Sequence, residues 1–132
     1  MSLKTIWVID DDPIYQIIVN KIIKKSELFF SVSSFNNGKD AIDALKDSLE
    51  KMDTLPNIIL LDINMPIMDG WEFMEEMVML KSQIDKSIQI YIVSSSIALE
   101  DKIKAKSYPE IIAYLSKPIS PNDLILITSN NY

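Results

Sequence analysis

The sequence predicts a doubly wound α/β domain, in which a parallel sheet of five strands lies between two layers of helices. Short apolar runs alternate with longer amphipathic segments along the whole chain. Most of the runs are nearly continuous in Ile, Leu, Val and aromatic residues, as in strands that are covered on both faces. Strands that alternate with helices form parallel sheets, and we expect the strand order 2-1-3-4-5.

Five apolar runs are the predicted strands. They are Thr5–Ile9, Phe29–Phe35, Asn57–Leu61, Ile88–Val93 and Ile111–Leu115. The second run contains the polar stretch Ser31-Val32-Ser33-Ser34, which indicates a strand at the edge of the sheet.

Helices are predicted between and after the strands. They are about Pro13–Lys25, Lys39–Met52, Asp69–Gln83, Ala98–Ser107 and Pro121–Thr128. Proline near the start and lysines near the end suit the first helix. Apolar spacing makes Met77 a core residue. We expect Asp12 and Ser96 to cap the first and fourth helices, and Trp71 to be partly exposed.

Composition bounds the functions that the chain can have. With 132 residues it forms one domain, and its net charge of −6 argues against nucleic acid as a direct partner. The lack of cysteine excludes disulfides and thiolate chemistry and fits the cytoplasm. No apolar run approaches the roughly 20 residues needed to cross a bilayer, and no signal peptide is evident. The lack of histidine places any phosphohistidine on another protein.

Polar residues follow four of the five predicted strands. Asp10 and Asp11 follow the first strand, Asp62 the third, Ser94 the fourth and Lys117 the fifth. Because the carboxyl ends of parallel strands meet at one edge of a sheet, we expect these side chains to converge there.

This set of groups suits phosphoryl chemistry. Crowded carboxylates repel one another unless a cation neutralises them, and Mg²⁺ prefers such oxygen ligands. One carboxylate can act as a nucleophile and form an aspartyl phosphate. Lys117 can then offset phosphoryl charge, and Ser94 can donate a hydrogen bond to a phosphoryl oxygen.

From about Thr5 to Thr128 the chain resembles the response-regulator receiver domains of bacterial two-component signalling. The residues that carry the resemblance are Asp10-Asp11, Asp62, Met65-Pro66, Asp69-Gly70, Ser94, Tyr114 and Lys117-Pro118. The resemblance implies a CheY-like, flavodoxin-like fold. It also implies that residues 1–132 form a single receiver domain without an output domain. The polar tail Asn130-Asn131-Tyr132 fits a natural end of the chain.

The resemblance assigns the metal and phosphoryl sites. It implies that Asp62 is the phosphoacceptor and one of the residues of the Mg²⁺ site, and that Asp11 binds Mg²⁺ directly. Asp10 would bind the cation mainly through water, and Asn64 through its backbone carbonyl. Lys117 would bind the phosphoryl group, and its bond to Pro118 would be cis.

The resemblance also assigns a switch. Ser94 occupies the position of the family's phosphoryl-binding hydroxyl, and Tyr114 that of an aromatic residue that changes rotamer on activation. Asn64 and Ser96 would tune how fast the phosphoryl group is lost.

The resemblance further implies a set of partners. A sensor histidine kinase or a histidine phosphotransfer protein would donate the phosphoryl group. A downstream protein would bind the surface of the fourth helix, fifth strand and fifth helix, which could also form a homodimer. Apart from its own phosphorylation and dephosphorylation, the chain would not be an enzyme.

Two alternatives remain. The first is a receiver-like interaction domain that is never phosphorylated, although such domains commonly lose an acid or the lysine. The second is a small phosphatase of the haloacid-dehalogenase class, because Asp10-x-Asp12 resembles its nucleophile motif. Ile14 stands where Thr or Val is usual in that class, and the chain lacks room for a cap domain.

Overall fold

The computed structural model describes residues 3–51 and 54–129. Within these residues five parallel strands form one sheet in the order β2-β1-β3-β4-β5. The strands are β1 (Lys4–Ile9), β2 (Phe29–Phe35), β3 (Ile58–Leu61), β4 (Gln89–Ser94) and β5 (Ile111–Ser116). The predicted fold class and strand order are confirmed, and β2 lies at an edge as its polar sequence indicated.

Helices cover both faces of the sheet. They are α1 (Pro13–Ser26), α2 (Gly38–Asp47), α3 (Gly70–Leu80), α4 (Leu99–Lys106) and α5 (Pro121–Ser129). Helices α1 and α5 pack on one face, and α2, α3 and α4 pack on the other. None of the helices in these ranges is long and apolar enough to cross a membrane.

Each strand contributes side chains to both halves of the core, because successive side chains of a strand point to opposite faces of the sheet. In β1, Ile6 and Val8 pack toward α1 and α5, whereas Trp7 and Ile9 pack toward α2 and α3. These four side chains are at most 4% exposed. Met77 lies in the half of the core that contains Trp7 and Ile9, and its predicted place in the core is confirmed.

Short polar side chains start the first three helices. Asp12 is the N-cap of α1, and its carboxylate accepts from the backbone N–H groups of Ile14 and Tyr15, which confirms the predicted cap. Asn37 caps α2 in the same way. Asp69 caps α3 through a reciprocal capping box with Glu72.

The predicted end of the second helix is wrong. Helix α2 ends at Asp47, and the next turns are closed by i→i+3 hydrogen bonds such as Leu49 N to Lys46 O. Such bonds tighten the chain out of the α-helical path. The predicted end at Met52 lies outside the described residues, as does the tail at 130–132.

Three further predictions need correction. Helix α3 ends at Leu80 and passes into a 3-10 turn at Lys81–Gln83. The N-cap of α4 is Ala98 rather than Ser96, because the Ser96 hydroxyl turns to Asp101. Trp71 is buried rather than partly exposed, at 8% exposure, since its ring stacks on Tyr108.

Candidate functional site

Two neighbouring strands end at one level and present their acids together. Ile9 of β1 pairs with Leu61 of β3, and the backbone N–H of Asp62 donates to the carbonyl of Ile9 at 2.9 Å. Carboxylate oxygens of Asp10, Asp11 and Asp62 lie within 4.8 Å of one another. The predicted convergence of these three residues is confirmed, and the cluster could hold a metal ion.

Asp10 is held firmly. Asp10 is 2% exposed. Its Oδ1 accepts a hydrogen bond from the backbone N–H of Asp12 at 2.9 Å, and its Oδ2 lies 2.6 Å from Lys117 Nζ. Asp11, the next residue, is exposed to solvent. Asp11 is therefore the solvent-accessible acid of the cluster.

Gln16 connects α1 to this edge of the sheet, a role that its local sequence does not predict. Its side-chain amide donates to the backbone carbonyls of Asp10 at 3.0 Å and Phe35 at 3.1 Å. The amide thus ties α1 to the ends of β1 and β2. The one available signal was a polar residue beside Tyr15 on the buried face of α1.

Asp62 is the second buried acid of the cluster. It is 6% exposed, and its Oδ1 accepts from the backbone N–H of Ile63 at 2.8 Å. Burial, reinforced by the charge of Asp10, raises the pKa of the Asp62 carboxyl to about 6, although Lys117 opposes the rise. A bound cation would lower this pKa again, because it favours the charged form.

Lys117 reaches across both buried acids. Its Nζ lies 2.6 Å from Asp10 Oδ2 and 3.3 Å from Asp62 Oδ2. Burial disfavours the ammonium charge, but the hydrogen bonds and charges of the two carboxylates outweigh burial and raise the pKa of Lys117. The bond from Lys117 to Pro118 is cis, as the resemblance implied.

The end of β4 completes the edge. Ser94 is 2% exposed, and its backbone carbonyl accepts from the backbone N–H of Lys117 at 3.1 Å. The Ser94 hydroxyl accepts from the backbone N–H of Ser96 at 3.1 Å. The hydroxyl of Tyr114 in β5 donates to the carbonyl of Ser96 at 2.9 Å. These contacts place Ser94, Ser96 and Tyr114 in one hydrogen-bonded group beside Lys117.

Comparison with known proteins decides the family. The model of the response regulator receiver domain matches residues 6–129. The chain belongs to the response regulator receiver family. Receivers of this family act in two-component signalling, in which they interact with histidine kinases and with downstream partners. The fold of this receiver is CheY-like.

Individual relatives agree with the family assignment. The receiver is 30% identical over 121 residues to the nitrate/nitrite response regulator NarL of Escherichia coli K12, with 92% of this chain and 51% of NarL covered. The chain therefore spans about half the length of that curated relative. A response regulator structure from Cytophaga hutchinsonii is 28% identical, with a TM-score of 0.83 and coverage of 98% and 96%. The Mn²⁺-bound form of response regulator Rcp1 is 25% identical, with a TM-score of 0.73 and coverage of 96% and 90%.

The loop after Asp62 explains the Asp69-Gly70 pair of the receiver. The backbone N–H of Gly70 donates to the carbonyl of Ile63 at 2.8 Å, and a Cβ at Gly70 would lie 2.4 Å from the carbonyl oxygen of Asp62. A glycine is needed there because α3 begins against the backbone of the acid. The side chain of Asn64 points from this loop into solvent.

Proposed function

We propose that this receiver accepts a phosphoryl group from a partner's phosphohistidine onto Asp62. The observation that carries the proposal is the grouping of three carboxylates and one ammonium at a single sheet edge. An acid to attack, a cation to offset charge and a hydroxyl to bind oxygen are the groups that phosphoryl transfer requires.

The hydrogen bonds favour Asp62 over Asp10 as the phosphoacceptor. Asp10 Oδ2 is held at 2.6 Å by Lys117, and Asp10 Oδ1 accepts from the Asp12 N–H. Among the residues that the structure describes, the one contact of Asp62 Oδ2 is the longer one of 3.3 Å to Lys117. An oxygen of Asp62 therefore loses a weaker contact than an oxygen of Asp10 would when it attacks phosphorus. The same contrast argues against the phosphatase alternative, in which Asp10 would be the nucleophile.

The cofactor of the proposed reaction is Mg²⁺. Asp10, Asp11 and Asp62 would hold it, because their carboxylate oxygens lie close enough together to share an ion. The backbone carbonyl of Asn64 would be a further ligand, and all four groups offer the hard oxygens that Mg²⁺ prefers. When bound, the cation supplies positive charge beside the phosphoryl oxygens. The similar response regulator Rcp1 has been solved in a Mn²⁺-bound form, which supports a divalent cation in receivers of this family.

The transfer balances without another reactant. An oxygen of ionised Asp62 forms a bond to phosphorus while the phosphorus–nitrogen bond of the donor breaks. The donor's imidazole, which carries a proton on its other ring nitrogen, takes the bonding electrons and leaves as neutral imidazole. The products are an acyl phosphate on Asp62 and a free histidine on the partner. Lys117 then pairs with a phosphoryl oxygen, and the Ser94 hydroxyl donates a hydrogen bond to another. Asn64 and Ser96 would tune how fast the acyl phosphate is lost, as the resemblance to the family implies.

The acyl phosphate would act by shifting a conformational equilibrium. The hydrogen bond from Tyr114 to Ser96 links the phosphoryl-binding loop to β5, and this link supports Tyr114 as the switch residue. We place the output at the surface of α4, β5 and α5. Ile97, Leu99, Ile103 and Ile112 are between 40% and 85% exposed there, an apolar content that suits a protein partner or a second copy.

The remaining assignments follow from this role. The phosphodonor is a sensor histidine kinase or a histidine phosphotransfer protein, and the receiver works with it in the cytoplasm. The receiver catalyses only its own phosphorylation and dephosphorylation. Neither nucleic acid nor a membrane is a direct partner, in keeping with the net charge of −6.

Phosphorylation by a small donor tests the proposal. The receiver is incubated with Mg²⁺ and acetyl phosphate, and its intact mass is recorded beside that of Asp62→Asn. We expect one phosphoryl adduct that hydroxylamine removes, that EDTA prevents and that the variant lacks. If neither acetyl phosphate nor a phosphohistidine protein gives an adduct, the proposal is wrong and the phosphorylation-independent interaction domain takes its place.

A further inference from the structure

One carboxylate on α4 joins three segments of the receiver. Asp101 Oδ1 accepts a hydrogen bond from the indole Nε1 of Trp71 at 3.1 Å, and Asp101 Oδ2 accepts one from the Ser96 hydroxyl at 2.8 Å. Trp71 lies in the first turn of α3, and Ser96 lies in the loop between β4 and α4. Charged acceptors make the stronger hydrogen bonds in proteins, so this pair of bonds can fix the relative position of the three segments.

Helix α4 has few other contacts that hold it. Ala105 is its only buried residue, and its N-cap Ala98 makes no side-chain capping bond. Leu99 and Ile103 are 68% and 60% exposed. Because α4 buries so little apolar surface, we expect its position to depend on these polar contacts to α3 as well as on its packing against β5.

A cation adds to these contacts on the same side of the helix. Lys104 lies three residues beyond Asp101, and its Nζ is 5.4 Å from the ring centroid of Trp71. The other face of α4 carries the exposed apolar side chains. Both polar contacts of α4 with α3, from Asp101 and from Lys104, are therefore made to the Trp71 indole.

Ser96 connects Asp101 to the phosphoryl-binding hydroxyl. The Ser96 backbone N–H donates to Ser94 Oγ at 3.1 Å, and the Ser96 carbonyl accepts from Tyr114 at 2.9 Å. The Ser96 side chain donates to Asp101 at the same time. Asp101 is thus connected to Ser94 by two successive hydrogen bonds, and to Tyr114 by two successive hydrogen bonds, with Ser96 in the middle of both paths.

We infer that Asp101 is a positioning residue for phosphoryl transfer: it holds Ser96, and through it the Ser94 hydroxyl, while tying α4 to Trp71. The inference rests on the proposed phosphorylation of Asp62. Asp101 does not touch the reacting atoms and acts through Ser96. Trp71 reports on the same carboxylate, because any rearrangement of α4 changes the environment of the indole N–H.

A simpler role for Asp101 is that of an acid in the first turn of a helix, where the helix dipole favours negative charge. Glu100 provides the matched control for this role. It stands in the same turn, carries the same charge and is exposed to solvent. A dipole effect would be shared by both acids, whereas positioning of Ser96 belongs to Asp101 alone.

The test measures the rate of phosphorylation by acetyl phosphate with Mg²⁺, together with Trp71 emission. Trp7→Phe serves as the parent, because the chain has 2 tryptophans. We expect phosphorylation to change the Trp71 emission of the parent. We expect Asp101→Ala to slow phosphorylation about fivefold, equivalent to about 1 kcal/mol, and to abolish the emission change. Asp101→Asn, which keeps one acceptor oxygen, should fall between, and Glu100→Ala should behave as the parent.

Non-additivity separates positioning from loss of fold. In a Ser94→Ala background, Asp101→Ala should cause no further slowing, since its effect passes through Ser94. Equal effects of Asp101→Ala with and without Ser94, or rates unchanged by Asp101→Ala in a parent that forms the adduct, would overturn the inference and leave the proposed function intact. A parent that forms no adduct with any donor would overturn both.

Discussion

Replacing Asp62 by asparagine should stabilise the metal-free receiver at neutral pH. The change keeps the size of the side chain and an oxygen that can accept from the Ile63 N–H, but it removes the charge. Burial and the charge of Asp10 raise the pKa of Asp62 from 3.8 to about 6. That difference corresponds to about 3 kcal/mol of unfolding free energy, because each pKa unit is worth about 1.36 kcal/mol.

The direction in which stability changes with pH follows from proton binding. The folded receiver binds a proton at Asp62 more tightly than the unfolded chain does, because the folded pKa is the higher one. Stability therefore falls as pH rises from 3.8 to about 6, and the full cost is present above that range. Asparagine does not ionise and bears none of this cost. Asp62→Asn should exceed the wild type by about 3 kcal/mol at about pH 7.5 and by about 1 kcal/mol at about pH 4.5.

Urea unfolding in EDTA at the two pH values measures the difference. Asp85→Asn is the control, because Asp85 is exposed and its replacement should leave stability almost unchanged at both values. Addition of Mg²⁺ should stabilise the wild type and not Asp62→Asn, since only the wild type retains the full ligand set. If Asp62→Asn were less stable than the wild type in EDTA at neutral pH, the reasoning about buried charge at this site would be refuted.

Two further predictions concern the loop that follows Asp62. Gly70→Ala should lower stability by about 2 kcal/mol, because the added Cβ would lie 2.4 Å from the Asp62 carbonyl oxygen; a loss near zero in urea unfolding would contradict this. Ile67→Asn should raise stability by about 1 kcal/mol, because Ile67 has φ of 69° and asparagine tolerates that conformation better. An exposed branched residue loses little packing on replacement, so a destabilised Ile67→Asn variant would show that the strain argument is wrong.

Much of the fold and of the acidic cluster was predictable from the sequence. Asp10, Asp11, Asp62 and Lys117 each follow a run that is apolar enough to be a strand, and parallel strands bring such residues to one edge. The same logic placed Ser94 at the end of β4. The polar sequence of β2 likewise identified an edge strand, because its serines are exposed to solvent there, whereas strands covered on both faces are nearly continuously apolar.

The contacts that depend on tertiary packing were not predictable. Nothing local to Gln16 shows that its amide would bond two carbonyls from different strands. Trp71 and Asp101 are thirty residues apart, and their hydrogen bond exists only because α3 and α4 share a face of the sheet. The early end of α2 is of the same kind, because its apolar spacing continues beyond the residues that remain helical.

The central claim is that Asp62 itself carries the phosphoryl group, and chemical trapping tests it most directly. An acyl phosphate on aspartate is reduced by borohydride to homoserine, and peptide mass spectrometry then identifies the position. After treatment with acetyl phosphate and Mg²⁺, we predict homoserine at position 62 and aspartate at position 10. Homoserine at position 10 with unchanged Asp62 would contradict the account and favour a phosphatase that uses Asp10 as its nucleophile.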